Sequence, residues 1–506
     1  MIISHKHKFI FLKTRKTAGS SIQVALAEHC GDDDVITGQY RLGIDDNIHS
    51  TGLNYDKYNF VSPYDPHTVL KEVKTLVGSD IWNSYFKFAF VRNPYEIAVS
   101  RYHWNKKGKS DTPQETSIEG FREWVRNGNI PNFDKFKNYI YDDGAIDIDF
   151  VGMYENLEED MDYICKRIGI PKLNLPKLKA GFRDNTDFKD HYDDVTRNIT
   201  YQCFKEDIEL FGYTFDNKNI ISKRNPIVYP GLFDKENNNI NNPSIIKVPD
   251  WVSDAKGKYY CYFSNHNGQS IKLAYTDDLE GNWTVIDDIF HIDSSPCTNH
   301  IASPEVLIDN KSNKILMYYH GGTDNGQKTF LASSIDGLNF TSDTKPLCDF
   351  YLRVFEYNNK KYGIAKKGNE CSVVYDVDND FKPIFEFLPS SRHCATYVKD
   401  ENLYVFYSNI GDTPEHIRVC KIKLASEVVD WDVISDKALI TPTFRFEGAH
   451  LSNVTSMPGS ATNKFGHNNI KEIRDPYLFE DGGKLYLYYV ILGEKQISWC
   501  RVINLD

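Results

Sequence analysis

Two short stretches of this chain gather the residue types that bind phosphate. The first, LKTRKTAGSSIQ (residues 12–23), runs a short apolar segment into Lys13, Thr14, Arg15, Lys16, Thr17, Ala18, Gly19, Ser20 and Ser21, and a helical pattern follows. Small residues let the backbone approach an anion closely, and the unpaired N–H groups and dipole of a helix start favour negative charge there. Lys16 adds a mobile cation, and Ser20 and Ser21 add hydroxyl donors. The pattern differs from the nucleotide-triphosphatase signature GxxxxGK[ST], because here the lysine precedes the glycine. In the second stretch, FVRNPYEIAVS (residues 90–100), Arg92 ends an apolar run and Ser100 lies eight positions later. A strand-end guanidinium and a hydroxyl two turns into the next helix can clamp a second phosphate.

A third constellation lies in the other half of the chain. Asn242, Glu305, Arg353 and Asp475 recur at comparable places in repeated aromatic-rich units, with Glu447, His300, His320, Arg392 and His393 nearby in the pattern. Such residues can line a sugar site, or they can stitch neighbouring sheets together as buried hydrogen-bonded groups.

The elements that must position these residues fall into two kinds. Residues 1–216 alternate strand and helix patterns: strands at Lys8–Lys13 and Phe86–Arg92, helices at Ser20–His29, Ile118–Arg126, Leu157–Ile168 and Val195–Phe211. This alternation predicts an α/β domain with a parallel sheet flanked by helices. Residues 217–241, rich in Asn and carrying two prolines, read as a linker and a strand leading onward. From residue 242 to 506 helical periodicity gives way to five repeats, beginning at Asn242, Ser303, Arg353, Arg392 and Arg474. Each is an apolar strand, a turn and an aromatic-rich strand, which predicts an all-β propeller of five blades. The stretch Trp431–Glu472 is expected to hold an extended loop.

The chain has 506 residues and a net charge of −12, and neither half carries a basic excess. That disfavours nucleic acid as a partner. No apolar run reaches the length of a membrane span, and the first, Phe9–Leu12, is too short for a signal-peptide core. Ten scattered cysteines without CxxC pairs point to reduced thiols rather than a zinc module or disulfide framework. A cytoplasmic protein is expected; oligomeric state is not legible.

Together, KTRKTAGSS and FVRNPYEIAVSRY resemble the sulfotransferase superfamily, in the branch of carbohydrate sulfotransferases that includes the heparan sulfate 2-O type. DFVGMYENLEEDMDYICKRIGIP (149–171) and KEDIELFGYTF (205–215) extend the likeness over roughly residues 8–216. The resemblance implies a donor, 3′-phosphoadenosine 5′-phosphosulfate, whose 5′-phosphate is cradled by Arg15, Lys16, Thr17, Ala18, Gly19, Ser20 and Ser21. Arg92 and Ser100 would hold its 3′-phosphate. Lys16 would stabilise charge on the departing phosphate, and His67, lying between the motifs, would serve as base, with His49 as rival; Arg183 and Lys189 would close over the nucleotide. Arg15 departs from the family, which usually has Pro there. No metal is implied.

The repeats resemble the superfamily of five-bladed propellers containing arabinanases, invertases and levansucrases, whose members use three acidic residues around a central funnel. Asn242 stands where those enzymes usually carry Asp, and an amide can neither act as a base nor form a glycosyl ester. The expected function is therefore sulfuryl transfer to a carbohydrate or glycoconjugate hydroxyl, with the propeller binding the glycan. The alternatives are a bifunctional sulfotransferase and glycoside hydrolase, and a non-catalytic glycan-binding protein.

Overall fold

The computed structural model describes residues 1–37, 65, 67–108, 115–132, 135–176, 186–216, 221–233, 239–266, 268–428, 431–458, 468–503 and 505. Contacts divide the chain into two compact units, Met1–Lys223 with Ile503–Asp506, and Arg224–Val502.

The first unit is built on a five-stranded sheet. In chain order its elements begin β1 (Ile2–Ser4), β2 (Phe9–Leu12), α1 (Gly19–Ala27), β3 (Val35–Ile36), α2 (Leu70–Ser84), β4 (Phe86–Val91) and α3 (Pro94–His103). They continue with α4 (Ile118–Arg126), α5 (Lys137–Ile140), a small hairpin of β5 (Tyr141–Asp142) and β6 (Ala145–Ile146), β7 (Phe150–Met153), α6 (Leu157–Ile168) and α7 (Asp194–Phe211). The strand order is β3-β1-β2-β4-β7. β2 and β7 are wholly buried apolar runs, as strands covered on both faces must be.

The sheet is mixed rather than purely parallel. β2, β4 and β7 run parallel, while β1 pairs antiparallel with both β2 and β3. The turn between β1 and β2, with Lys8 at φ 53°, is far too short for a parallel crossover, so it makes a hairpin. Helix α2 escaped the sequence pattern because Gly78 (φ 75°, ψ 169°) breaks it into two short pieces with no continuous apolar period.

The register decides where the site lies. Leu12 pairs with Ala89, and Val91 with Met153, so the C-terminal ends of β2, β4 and β7 come out at one edge of the sheet. Ligands of parallel sheets gather at that edge. Gly152 in β7 allows the close approach: a Cβ there would come within 2.4 Å of the Phe90 ring.

The second unit consists of five four-stranded blades. Blade one contains β9 (Asn241–Lys247), β10 (Tyr259–Ser264), β11 (Ser270–Thr276) and β12 (Thr284–His291). Blade two contains β13 (Ile301–Asp309), β14 (Lys314–Thr323), β15 (Gly326–Ser334) and β16 (Thr341–Ser342). Blade three contains β17 (Phe350–Tyr357), β18 (Lys360–Lys367), β19 (Cys371–Asp376) and β20 (Lys382–Phe387). Blade four contains β21 (Ser391–Lys399), β22 (Asn402–Asn409), β23 (Ile417–Lys423) and β24 (Asp432–Ile440). Blade five combines β25 (Ile473–Asp481), β26 (Lys484–Ile491) and β27 (Gln496–Val502) with β8 (Ile221–Val228), which precedes blade one in sequence. Strands from the two ends of the unit thus complete one sheet and close the ring, with Ser498 Oγ donating to the Arg224 carbonyl at 2.7 Å. The stretch after Trp431 opens with β24, the outer strand of blade four.

Each inner strand carries a bulge at the same place: Asn242-Pro243, Ser303-Pro304, Tyr351-Leu352, Arg392-His393 and Asp475-Pro476 face one partner residue per pair. Asn242, Ser303, Tyr351 and Asp475 adopt φ of 52°, 51°, 60° and 51° there. Proline has no N–H for a ladder, and Pro243, Pro304 and Pro476 take the second place in three of the five bulges, where no ladder bond is needed.

Candidate functional site

The loop after β2 is pinned from several sides. The Thr14 hydroxyl donates to the Phe90 carbonyl of β4 and meets the Thr17 hydroxyl at 2.8 Å. Lys16 and Ala18 both take left-handed conformations, φ 63° and 60°, which only a well-determined loop imposes on residues with a Cβ. Gly19 is required by space: a Cβ would lie 2.8 Å from Lys13 Cγ and 3.3 Å from the Thr14 carbonyl. Helix α1 begins here with Ala18 as its cap and no side-chain cap bond, so its leading N–H groups have no capping side chain. Thr17, Gly19 and Ser21 are buried, and Arg15, Lys16, Ala18 and Ser20 half-buried.

The three cations of the loop have separate tasks. Lys13 is buried, donating from Nζ to Gln23 Oε1 at 2.7 Å, and Gln23 in turn donates to the Thr37 carbonyl. Arg15 Nε donates to the Tyr139 hydroxyl at 3.1 Å. The Lys16 ammonium lies 5.0 Å from the centroid of the Trp104 ring.

Arg92 leaves the end of β4 and bridges to this loop. Its Nη1 donates to the Lys16 carbonyl at 3.1 Å, its Nη2 to Glu96 Oε1 at 2.6 Å, and its guanidinium lies 3.9 Å from the centroid of the Tyr154 ring. Its Nε is buried with no partner, an unspent donor at the site. Burial opposes the charge, but Glu96 outweighs it and holds the Arg92 pKa above its ordinary value. Asn93 caps α3 by accepting from the Tyr95 N–H at 3.0 Å, with Pro94 at the first helical position. The Asn93 N–H donates to Glu155 Oε1 at 2.7 Å, and Tyr213 donates to Glu155 Oε2 at 3.1 Å. Burial pushes the Glu155 pKa up. Ser100 sits half-buried on α3.

His67 stands against the first residue of the loop. Its Nδ1 lies 2.7 Å from the Lys13 carbonyl. A carbonyl only accepts, so Nδ1 carries the proton and the Nε2 lone pair remains for other work. Burial, then Lys13 and Arg15, push its pKa down to about 2, so the ring is neutral at physiological pH. Its edge meets Tyr139, with centroids 6.5 Å apart. The structure therefore brings Lys16, Arg92 and His67 to one loop through backbone and aromatic contacts. Glu96, Trp104, Tyr139 and Tyr154 also belong to this assembly, and the sequence pattern alone did not reveal them. Glu155, in the segment ENLEED that reads as an acidic helix start, joins them through the Asn93 N–H and the Tyr213 hydroxyl. His49 and Arg183 lie outside the described residues; Lys189 pairs with Asp216 at 3.5 Å.

In the propeller, the four sugar-site candidates form two pairs. Glu305 Oε2 accepts from Arg353 Nη1 at 3.1 Å, and Arg353 also donates to the Pro304 and Cys394 carbonyls, joining blades two, three and four. Both side chains are buried. Asp475 accepts from the Asn242 N–H at 3.3 Å and abuts His393 Nδ1, across blades five, one and four. Burial pushes Asp475 up to about 6 against the pull of Arg474. Beside it, Arg474 binds Glu415, Glu472 and Glu494 at 2.8, 2.9 and 2.6 Å. The Asn242 Oδ1 and Ser303 Oγ atoms of these inner strands, and His320 Nδ1 of β14, are buried without partners.

Residues 1–214 match the model of the sulfotransferase family, and the first unit carries that family's sequence pattern. The chain is 29% identical over 302 residues to an uncharacterized protein of Acanthamoeba polyphaga mimivirus, covering 52% of this chain and 83% of that protein. It is 30% identical over 168 residues to carbohydrate sulfotransferase 14 of Danio rerio, covering 26% of this chain and 45% of that enzyme. This chain thus spans under half the length of that curated sulfotransferase. Among solved structures, a thermostable family-43 glycoside hydrolase is similar at 16% identity and a TM-score of 0.37, covering 53% of this chain and 91% of that one.

Proposed function

We propose that the first unit transfers a sulfuryl group from 3′-phosphoadenosine 5′-phosphosulfate to a carbohydrate hydroxyl, and that the propeller binds the glycan. The observation that carries this reading is the Arg92 bridge: one guanidinium ties the Lys16 loop to the start of α3 and keeps a buried Nε–H unspent. The residues present fit the donor. The open start of α1 with Thr17, Ala18, Gly19, Ser20 and Ser21 suits the 5′-phosphate, and Arg92 with Ser100 suits the 3′-phosphate.

In the transfer, the acceptor oxygen forms a bond to sulfur as the bond from sulfur to the phosphate oxygen breaks. Lys16 and Arg15 stabilise the negative charge that collects on the leaving phosphate. The acceptor hydroxyl's proton passes to His67 Nε2, the lone pair left open by the Nδ1 bond to the Lys13 carbonyl. A pKa near 2 makes His67 a feeble base in the empty protein. The anionic donor, seated beside Lys13, Arg15 and Lys16, would offset the part of that depression that comes from the cations, while burial, the larger cause, would remain.

For the propeller, the unpartnered Asn242 Oδ1 and the bulged inner strands supply polar atoms at the blades' inner ends. An amide in place of a carboxylate supports binding of a sugar rather than its hydrolysis. Ten free thiols fit a reducing, cytoplasmic setting.

The test is incubation with radiosulfate-labelled donor and a panel of mono- and oligosaccharides. Label should move to at least one carbohydrate with wild type and to none with Lys16→Ala. Transfer only to a non-carbohydrate hydroxyl, or none while labelled donor binds, would overturn the acceptor or the activity, respectively.

A further inference from the structure

The Lys16 ammonium lies 5.0 Å from the centroid of Trp104, the residue that ends α3 and opens the π-helical turn Trp104–Gly108. Nothing in the sequence motifs assigns Trp104 a part. Its placement follows from α3: Arg92 and Asn93 fix the helix start against the Lys16 loop, and Trp104 at the far end of the helix comes back under the same lysine's side chain. An ammonium on a four-carbon stem is a mobile charge. Lys16 has its backbone fixed at φ 63° and its carbonyl held by Arg92. An indole face is the strongest of the aromatic faces for a cation, and Trp104 is half-buried.

We propose that Trp104 is a positioning residue that holds the Lys16 ammonium, through its ring face, in the place where the donor's 5′-phosphate arrives. This rests on the donor-site reading above. Holding the lysine in advance lowers the ordering cost of nucleotide binding, and a cation–π contact of ordinary strength corresponds to roughly a fivefold change in affinity.

The test is calorimetric titration of adenosine 3′,5′-bisphosphate into the full chain as wild type, Trp104→Leu, Trp104→Phe, Lys16→Met and the double variant Lys16→Met/Trp104→Leu. Thermal unfolding of each variant verifies folding. Trp104→Leu should weaken binding about fivefold, Trp104→Phe should restore part of the loss, and Trp104→Leu should cost nothing further once Lys16 is Met. A loss of equal size in the Lys16→Met background would make Trp104 a packing or base-stacking residue and overturn the proposal. So would tighter binding by Trp104→Leu, which would mean the ring parks the lysine away from the phosphate. Absence of binding by folded wild type would overturn the donor site itself, and the role of Trp104 with it. The two failures are therefore told apart by the wild-type titration alone.

Discussion

Arg92 and His67 show how single side chains carry the account. Arg92 is buried and committed to Glu96 and the Lys16 carbonyl, so Arg92→Ala removes both a loop tether and the proposed phosphate ligand. Loss of a buried, hydrogen-bonded charge partner costs about 2–5 kcal/mol, so nucleotide affinity should fall at least about 30-fold in calorimetry. His67 makes a different prediction, about pH. Its folded pKa lies near 2, below the ordinary histidine value. As pH falls below about 6.5 the unfolded chain takes up a proton that folded His67 refuses, so folding stability declines with acid by up to about 1.4 kcal/mol per pH unit, less where water reaches the ring. Above about pH 6.5 both states are neutral and the effect is gone. Denaturant titrations from pH 7 to pH 5 should show a flatter profile for His67→Gln than for wild type; parallel profiles would contradict the assignment. Lys16, Arg92 and the small residues of the loop were legible as candidates because their types and spacing suit an anion. Tyr139 and Trp104 were not, because an aromatic's role depends on what folds over it.

At the scale of elements, the site exists because β2 and β4 run parallel in register and each feeds a helix at the same edge. Strand and helix patterns at residues 86–92, 118–126 and 157–168 are strong enough to read directly, since apolar runs and caps such as Ser117 and Gly169 bound them. The antiparallel β1 was not legible, because strand direction follows from turn geometry rather than from side-chain period. Gly19 joins element to site: its Cβ-free approach to Lys13 and Thr14 lets α1 start where it does. Gly19→Ala should lower stability by about 1–3 kcal/mol by overpacking and should weaken nucleotide binding as well. Unchanged binding in a destabilised Gly19→Ala protein would separate the packing of α1 from the anion site. In the propeller the five repeat starts are visible in sequence because each inner strand repeats the same bulge and the same aromatic partner strand. The pairing of Glu305 with Arg353 was not visible, since two residues 48 apart meet only when blades two and three close.

Across the whole molecule, the chain joins a unit with a chemical edge to a ring of blades. The ring is closed by β8 in blade five and by the buried charges around Arg474. Burial, together with Glu415 and Glu494, pushes Glu472 up to about 8 against the attraction of Arg474. Replacing Arg474 by Met leaves these carboxylates without their shared cation, which should destabilise the propeller by about 3–5 kcal/mol in calorimetric unfolding. Nucleotide affinity of the first unit should stay unchanged, because the residues proposed to hold the nucleotide all lie within that unit. Coupled loss of both would contradict a division of labour between the units.

The central claim, that the Lys16 loop and Arg92 form a donor-nucleotide site, is tested most directly by titrating adenosine 3′,5′-bisphosphate into the full chain and into Arg92→Ala. Micromolar binding by wild type that is lost in the folded variant is the predicted result. No binding by folded wild type, or equal binding by Arg92→Ala, would contradict it.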